Sequence, residues 1–360
     1  MFLNEVIVRS ITLFVDNPKK RGVDEYVDEI REKMELLRVL EKEVINHGYK
    51  VFTTRITLPR IDRETGERIV EKLDPGKVLV SLGMFDVHEN EEFFLQATGN
   101  GYYLSLLCTW SDPLECSERA SGIIHKVSEE DPVSATRIAL AYHTNPLETP
   151  YFPDSTSSGR IGVGYSFLLP STMKKYYREH GELNSFYKYL INVVEDLLKI
   201  TKDKLGLERV LFDYSISPWM ENSIVDLIEA MGYKLLSPGF NYGVYILNEI
   251  IQEIARAAGR ATGFNEVMLP YAEDSLLIKA GREGILRAST LLAYTATCVV
   301  GPDMIVIPSS KRELARFILD TYSIWRVKRR PMALRAIPVS GLAGDTIDLG
   351  KFGKVPVINY

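Results

Sequence analysis

One helix lodged between two β-rich segments constrains this chain more than any other feature. Residues 6–16 are apolar and β-branched and end at an Asn17-Pro18 turn. Beyond it Val23, Tyr26, Val27, Ile30, Met34, Leu37, Leu40 and Val44 step by three or four, an apolar stripe along a helix that Gly48 stops. Residues 49–58 are β-rich again, and Thr54-Arg55-Ile56-Thr57-Leu58 echoes Arg9-Ser10-Ile11-Thr12-Leu13. Two strands joined by one crossover helix pair in parallel, because a tight hairpin cannot connect parallel neighbours. That places the chain in the α/β class.

The alternation continues. Residues 78–82, 102–108 and 136–142 read as strands, with a helix over 113–129. Residues 144–164 are rich in Pro, Ser, Thr and Gly, too broken for a regular element. Helices are expected over 183–205, 220–231 and 244–258, with a strand over 209–214 between the first two. The last third gives a helix through Leu291, a strand over 304–307, a helix over 312–325, a strand over 332–339 and a Gly-punctuated tail. No linker or low-complexity stretch divides the 360 residues, so residues 1–360 are expected to form one α/β domain with its sheet covered on both faces.

Composition narrows the function classes. A net charge of −5 argues against sequence-independent nucleic-acid binding, which needs a basic surface. The longest uncharged stretch, 288–302, is too short and too rich in Ser and Thr to span a bilayer. Glu5 and Arg9 interrupt the opening apolar stretch and no small-residue cleavage site follows, so a cytoplasmic protein is expected. Gln occurs only at positions 96 and 252 amid abundant charge, a bias of hyperthermophile proteins. Cys108, Cys116 and Cys298 show no CxxC or Cys/His spacing, so neither a zinc site nor a disulfide framework is expected.

Four motifs place polar residues directly after apolar strands, where α/β proteins keep their sites. In the first, two prolines stiffen Thr149-Pro150-Tyr151-Phe152-Pro153-Asp154-Ser155 and present Tyr151, Asp154 and, further on, Arg160. The second is Asp213-Tyr214-Ser215-Ile216-Ser217-Pro218-Trp219. Here Ser217 reads as a helix N-cap with Pro218 at the first helical position, and Ser215, Ser217 and free amides could hold an anion while Asp213 binds a hard cation or takes a proton. The third carries Glu273-Asp274, which either acidify a helix start or share a pocket with Asp213. The fourth is Cys298-Val299-Val300-Gly301-Pro302-Asp303, whose cysteine is a packing residue or a nucleophile. Arg9, Arg55 and Arg335 lie in or beside strands, where they must pair with internal carboxylates or reach an anionic ligand.

These motifs resemble one family along nearly the whole chain. Arg9-Ser10-Ile11-Thr12-Leu13, residues 149–153 and 212–219, Gly263-Phe264-Asn265-Glu266-Val267-Met268-Leu269-Pro270, Glu273-Asp274-Ser275, residues 298–303 and 334–341 follow the order of domain of unknown function 711, often called the PFL family after pyruvate formate-lyase. The resemblance implies a fold similar to glycyl-radical enzymes, an α/β barrel of about ten strands. It also implies an ACT-domain protein as a partner. Radical chemistry is not expected: Pro338-Val339-Ser340-Gly341-Leu342 lacks the arginine and the aromatic of the glycyl-radical signature, and Gly341 reads as a turn glycine needing positive φ.

The expected function is an enzyme binding a small anionic metabolite in a barrel pocket. Arg9, Arg55, Tyr151, Arg160, Ser215, Ser217 and Arg335 bind the ligand, and Asp213, Glu273, Asp274 and Cys298 supply the chemistry, with or without a divalent cation. The alternative is a non-catalytic metabolite-binding or regulatory protein. A homo-oligomer is expected in either case.

Overall fold

A computed structural model describes residues 6–18, 22–297 and 300–360. The strands are β1 (Ile7–Phe14), β2 (Lys50–Thr57), β3 (Leu79–Asp86), β4 (Tyr103–Leu107), β5 (Ile138–Ala141), β6 (Gly162–Leu168), β7 (Val210–Asp213), β8 (Ile305–Pro308), β9 (Ala333–Leu334), β10 (Ala336–Val339), β11 (Thr346–Asp348) and β12 (Lys354–Pro356). Eight form one sheet in the order β7-β6-β1-β2-β3-β4-β5-β9; β8 pairs with β10 and β11 with β12. β1 to β5 are parallel, as the single crossover helices require, whereas β6 lies antiparallel to β1 and carries β7 parallel to itself. β9 is antiparallel to β5. Backbone bonds extend the ladders beyond these strands: Thr262 N–H donates to Phe212 O, Met268 N–H to Ile216 O, and Tyr271 N–H to Asp303 O.

The stripe from Tyr26 to Val44 buries as expected, and the helix carrying it (Val23–Asn46) packs on β1, β2 and the helix Phe186–Leu205. Every residue of β1 except Ile7 is buried, which demands that both sheet faces be covered. Arg335 stands at the joint between β9 and β10, the point where one run of chain leaves the large sheet and pairs with β8.

Several expectations need correction. The helix expected over 220–231 begins at Ile224, capped by Ser223, whose hydroxyl accepts from Asp226 N–H. Ser217 is therefore not an N-cap. Residues 216–220 are held instead by bridges to Val267, Asn222 and Asp274, with Met220 at φ 50. The broken stretch 144–164 runs into β6, and the helices Arg63–Lys72 and Glu91–Gly99 have stripes too short to see in sequence. The glycines taking positive φ in the tail are Gly344, Gly350 and Gly353, not Gly341, which is half-buried near Asp345.

Cysteine usage also differs. Cys108, just after β4, is disulfide-bonded to Cys116 in the first turn of the helix Pro113–Glu130, with Cα atoms 6.1 Å apart. No spacing rule signals such a short loop, because the pairing depends on the chain doubling back from strand to helix. Cys298 lies outside the described residues. Thiol titration of the unfolded, unreduced chain should find one thiol, rising to the three cysteines of the sequence after reduction. Cys116→Ser should lower unfolding free energy by about 2–3 kcal/mol in chemical denaturation, the loop-closure contribution for so short a ring. Three thiols before reduction would rule the bond out.

Candidate functional site

Residues 149–157 do not skirt the surface. They cross the inner face of the large sheet, and every one of them is buried. A buried loop leaves carbonyls that must find donors, and inward hydroxyls on successive strands supply them. Ser10 Oγ of β1 donates to Pro150 O at 3.1 Å, Ser105 Oγ of β4 to Pro153 O at 3.2 Å, and Ser81 Oγ of β3 to Ser155 O at 2.8 Å. Thr57 of β2 meets Ser155 Oγ at 2.8 Å. The loop fills the space over the later residues of β2 and β3, so the cleft opens at their start, beside Phe52, Leu79 and Tyr103.

A chain of ion pairs lines this cleft. Arg9 sits where the β1–β6 register slips, a bulge that turns it inward beside Ser10. Its Nη2 lies 2.6 Å from Glu273 Oε2, and its Nη1 donates to Pro218 O at 2.6 Å. The other Glu273 oxygen meets Arg335 Nη2 at 2.9 Å. Arg335 also grips Asp303 bidentately, Nε to Oδ1 at 2.7 Å and Nη2 to Oδ2 at 2.9 Å. Burial alone would raise the Glu273 carboxyl, but Arg335 and Arg9 outweigh it and hold it below its ordinary value. Burial likewise opposes the charge on Arg335, and Asp303 and Glu273 overturn it.

Arg55 stands apart. Its Nη1 donates to Pro150 O at 2.8 Å and its Nε to Thr53 Oγ1 at 3.0 Å, and its guanidinium lies 5.1 Å from the Phe152 ring centre. It meets no carboxylate among the described residues. Burial, and then Arg9, pull its pKa down to about 10. Asp154 lines the same cleft; its Oδ1 has no hydrogen-bond partner among the described residues and its pKa is pushed up to about 7, first by burial and then by Asp303. Trp219, Tyr103, Phe152 and Phe352 wall the cleft, and Lys351 stands at its rim. With its mouth the cleft encloses about 590 Å³, of which about 50 Å³ is open to the centres of water-sized molecules.

Of the residues nominated from sequence, Arg9, Arg55, Tyr151, Ser217, Glu273 and Arg335 line the cleft. Asp213 lies behind it, accepting from Thr149 Oγ1, Ser215 N–H and Oγ, Phe264 N–H and Asn265 N–H, and so anchors the loop. Gly263 is needed for that approach, since a Cβ there would fall 2.1 Å from Asp213 Oδ2. Ser215 serves the same network, and its carbonyl accepts from Tyr151 Oη at 3.2 Å. Asp274 faces away from Glu273 and holds two helix starts, accepting from Ser223 Oγ, Ile224 N–H and Leu276 N–H. Arg160 is exposed and outside the cleft. The carboxylates that do gather are Asp154, Glu273 and Asp303. All three were visible in the motifs, but nothing in the sequence ranked them above Asp213 and Asp274. Among the described residues no three His, Cys, Asp or Glu side chains are placed to hold a metal ion.

Comparison with known proteins adds a family and no activity. The family model described as Uncharacterised ACR (DUF711) matches residues 114–350. A UPF0210 protein of Desulforudis audaxviator is 32% identical over 166 residues, 44% of this chain and 37% of that protein. A UPF0210 protein of Methanopyrus kandleri is 30% identical over 188 residues, 50% of this chain and 42% of its own length. The matched part of the chain thus spans less than half the length of these relatives.

Asp154 and Glu273 make opposite demands on pH. Asp154 keeps its proton up to about 7 in the folded chain against 3.8 when free, so the folded form binds more protons between those values and stability falls as pH rises through that window. Glu273 titrates below its ordinary 4.5, so its contribution is present above 4.5 and lost as pH falls through the folded value. Asp154→Asn should abolish the fall in melting temperature between 3.8 and about 7. Glu273→Gln should cost about 3 kcal/mol at neutral pH, because two buried arginines lose their shared partner. A D154N melting curve that tracks the wild type across the window would mean that Asp154 ionises normally.

Proposed function

The chain belongs to the DUF711 family, and we propose that its cleft binds a small anionic metabolite and moves a proton on it, as an enzyme. One observation carries this reading: Arg55 is buried against the cleft with a guanidinium that pairs with no carboxylate among the described residues. Such a charge is costly to bury alone, and a carboxylate or phosphate would remove the cost while gaining a charge-assisted hydrogen bond. Arg9 and Arg335 contribute field, but Glu273 and Asp303 already pair with their charges. Ser217 and Tyr151 complete the wall, and the small interior limits the ligand to a few heavy atoms. Asp154, titrating near neutrality and unpartnered at Oδ1, takes the acid–base role.

A second reading, a non-catalytic metabolite-binding or regulatory protein, is favoured by the employment of Asp213 and Asp274. Both carboxylates are saturated by structural donors and have no oxygen left for a substrate.

The fold is taken as a barrel similar to pyruvate formate-lyase. The antiparallel β1–β6 junction and the backbone bonds running from β7 through residues 262, 268 and 271 toward β8 support that. A cytoplasmic, hyperthermophile setting would accommodate the Cys108–Cys116 bond, since intracellular disulfides are common in such organisms. No helix among the described residues is long and apolar enough to cross a membrane. An ACT-domain partner rests on family resemblance, and a homo-oligomer is part of the proposal.

Calorimetric titration with short-chain carboxylates and with inorganic phosphate tests the reading. At least one should bind the wild type, and Arg55→Met should weaken it about a hundredfold, the loss of a desolvated charge pair. Unchanged affinity in the variant would sink the proposal. Mass spectrometry of the bound anion after incubation separates the two readings. Product formed by the wild type and not by Asp154→Asn marks an enzyme, and an unaltered anion marks a binding protein.

A further inference from the structure

A second cleft shares no lining residue with the first. It lies where the helix Lys311–Lys328 ends and the chain runs on through Arg329 to Pro331, facing residues 142–147. Basic residues at a helix C-terminus often do no more than offset its dipole. Here they are sorted. Lys328 and Arg330 both pair with Glu266, the former at 3.3 Å. Arg326 lies over the rings of Tyr322 and Trp325, 5.9 Å from each centre, and neither it nor Arg329 meets a carboxylate among the described residues.

His143 gives an independent signal. It is 7% exposed, lines the cleft, and its Nδ1 lies 2.9 Å from Asn145 O. A carbonyl only accepts, so Nδ1 carries the hydrogen and Nε2 is left as a lone pair. No donor among the described residues meets that Nε2. Burial lowers the pKa of the ring and keeps it neutral, so Nε2 stays an acceptor. The cleft offers about 480 Å³, inside the roughly 300–1,000 Å³ span of ordinary ligand sites.

We propose that this cleft is a second ligand site, taking an anion joined to a flat, N–H-bearing heterocycle, the chemistry of a nucleoside monophosphate. Arg326 and Arg329 receive the phosphate, Trp325 provides a face for the ring, and His143 Nε2 accepts from a ring or amino N–H. The ligand differs in kind from that of the Arg55 cleft, whose interior is too small for a heterocycle.

Calorimetry with adenosine monophosphate and, separately, inorganic phosphate tests this on the whole chain. The nucleotide should bind, and phosphate alone should bind at least about tenfold more weakly because it forgoes the ring contact. Arg326→Ala with Arg329→Ala should weaken the nucleotide about tenfold or more, whereas Arg55→Met should leave it unchanged. Both arginines are exposed, so the pair should melt with the wild type; Arg329→Gln alone serves if it does not. No nucleotide binding, phosphate binding as tightly as the nucleotide, or sensitivity to Arg55→Met in place of the Arg326/Arg329 pair would each overturn the proposal.

Discussion

The structure depends on donors reaching a buried loop. Residues 149–157 carry peptide groups into a place where water cannot serve them; Ser10, Ser81 and Ser105 donate to their carbonyls from three strands, and Thr57 of the strand between meets the Ser155 hydroxyl. Each bond adds about 1 kcal/mol net, but an unmet carbonyl in the same place would cost about 1–3 kcal/mol. The hydroxyls are therefore a condition for the loop's path. They also keep the inner face of the sheet narrow, since larger apolar side chains at those positions would displace the loop. The cleft is the volume that the loop does not fill.

Charge is arranged on top of that constraint. Arg9, Glu273, Arg335 and Asp303 are joined in one line, so three elements distant in sequence, β1, the 270–274 segment and the β9–β10 joint, are fixed by carboxylates that each serve a defined partner. Such a line contributes more to register than to net stability, because desolvation consumes most of the Coulombic gain. Arg55 is left outside it. Two arginines are paired in that line, and Arg55 meets only neutral acceptors among the described residues; Asp154, nearer Arg335, leaves it so while it keeps its proton. The burial of Asp154 beside Asp303 opposes its ionisation.

The parallel strands, the long amphipathic helices and the cleft arginines were legible because periodicity and misplaced charge are local signals. Arg9, Arg55 and Arg335 stand out in apolar strands wherever they end up. The division of labour among carboxylates was not legible. Asp213 and Asp274 look as reactive in sequence as Asp154 and Asp303, and only the backbone amides of Phe264, Asn265, Ile224 and Leu276 decide otherwise. The inward hydroxyls could have been noticed as Ser and Thr recurring at alternate positions of β1 and β2, but their partner is a loop more than ninety residues downstream of β2. The Cys108–Cys116 bond was hidden for the same reason, since it depends on how the chain turns between strand and helix.

Glu273 and Asp274 are neighbours with opposite duties. One faces the cleft and answers to two arginines; the other faces the scaffold and fastens the starts of the helices Ile224–Ala230 and Ser275–Arg282. A single peptide unit joins them. An anion that competes with Glu273 for Arg9 or Arg335 has only the Glu273 side chain to turn, because Met220 N–H donates to Glu273 O and Asp274 accepts from Ile224 N–H and Leu276 N–H, pinning the backbone on either side. The scaffold that fastens the two helices thus also fixes the point from which Glu273 reaches its arginines, so the cleft inherits its rigidity from Asp274.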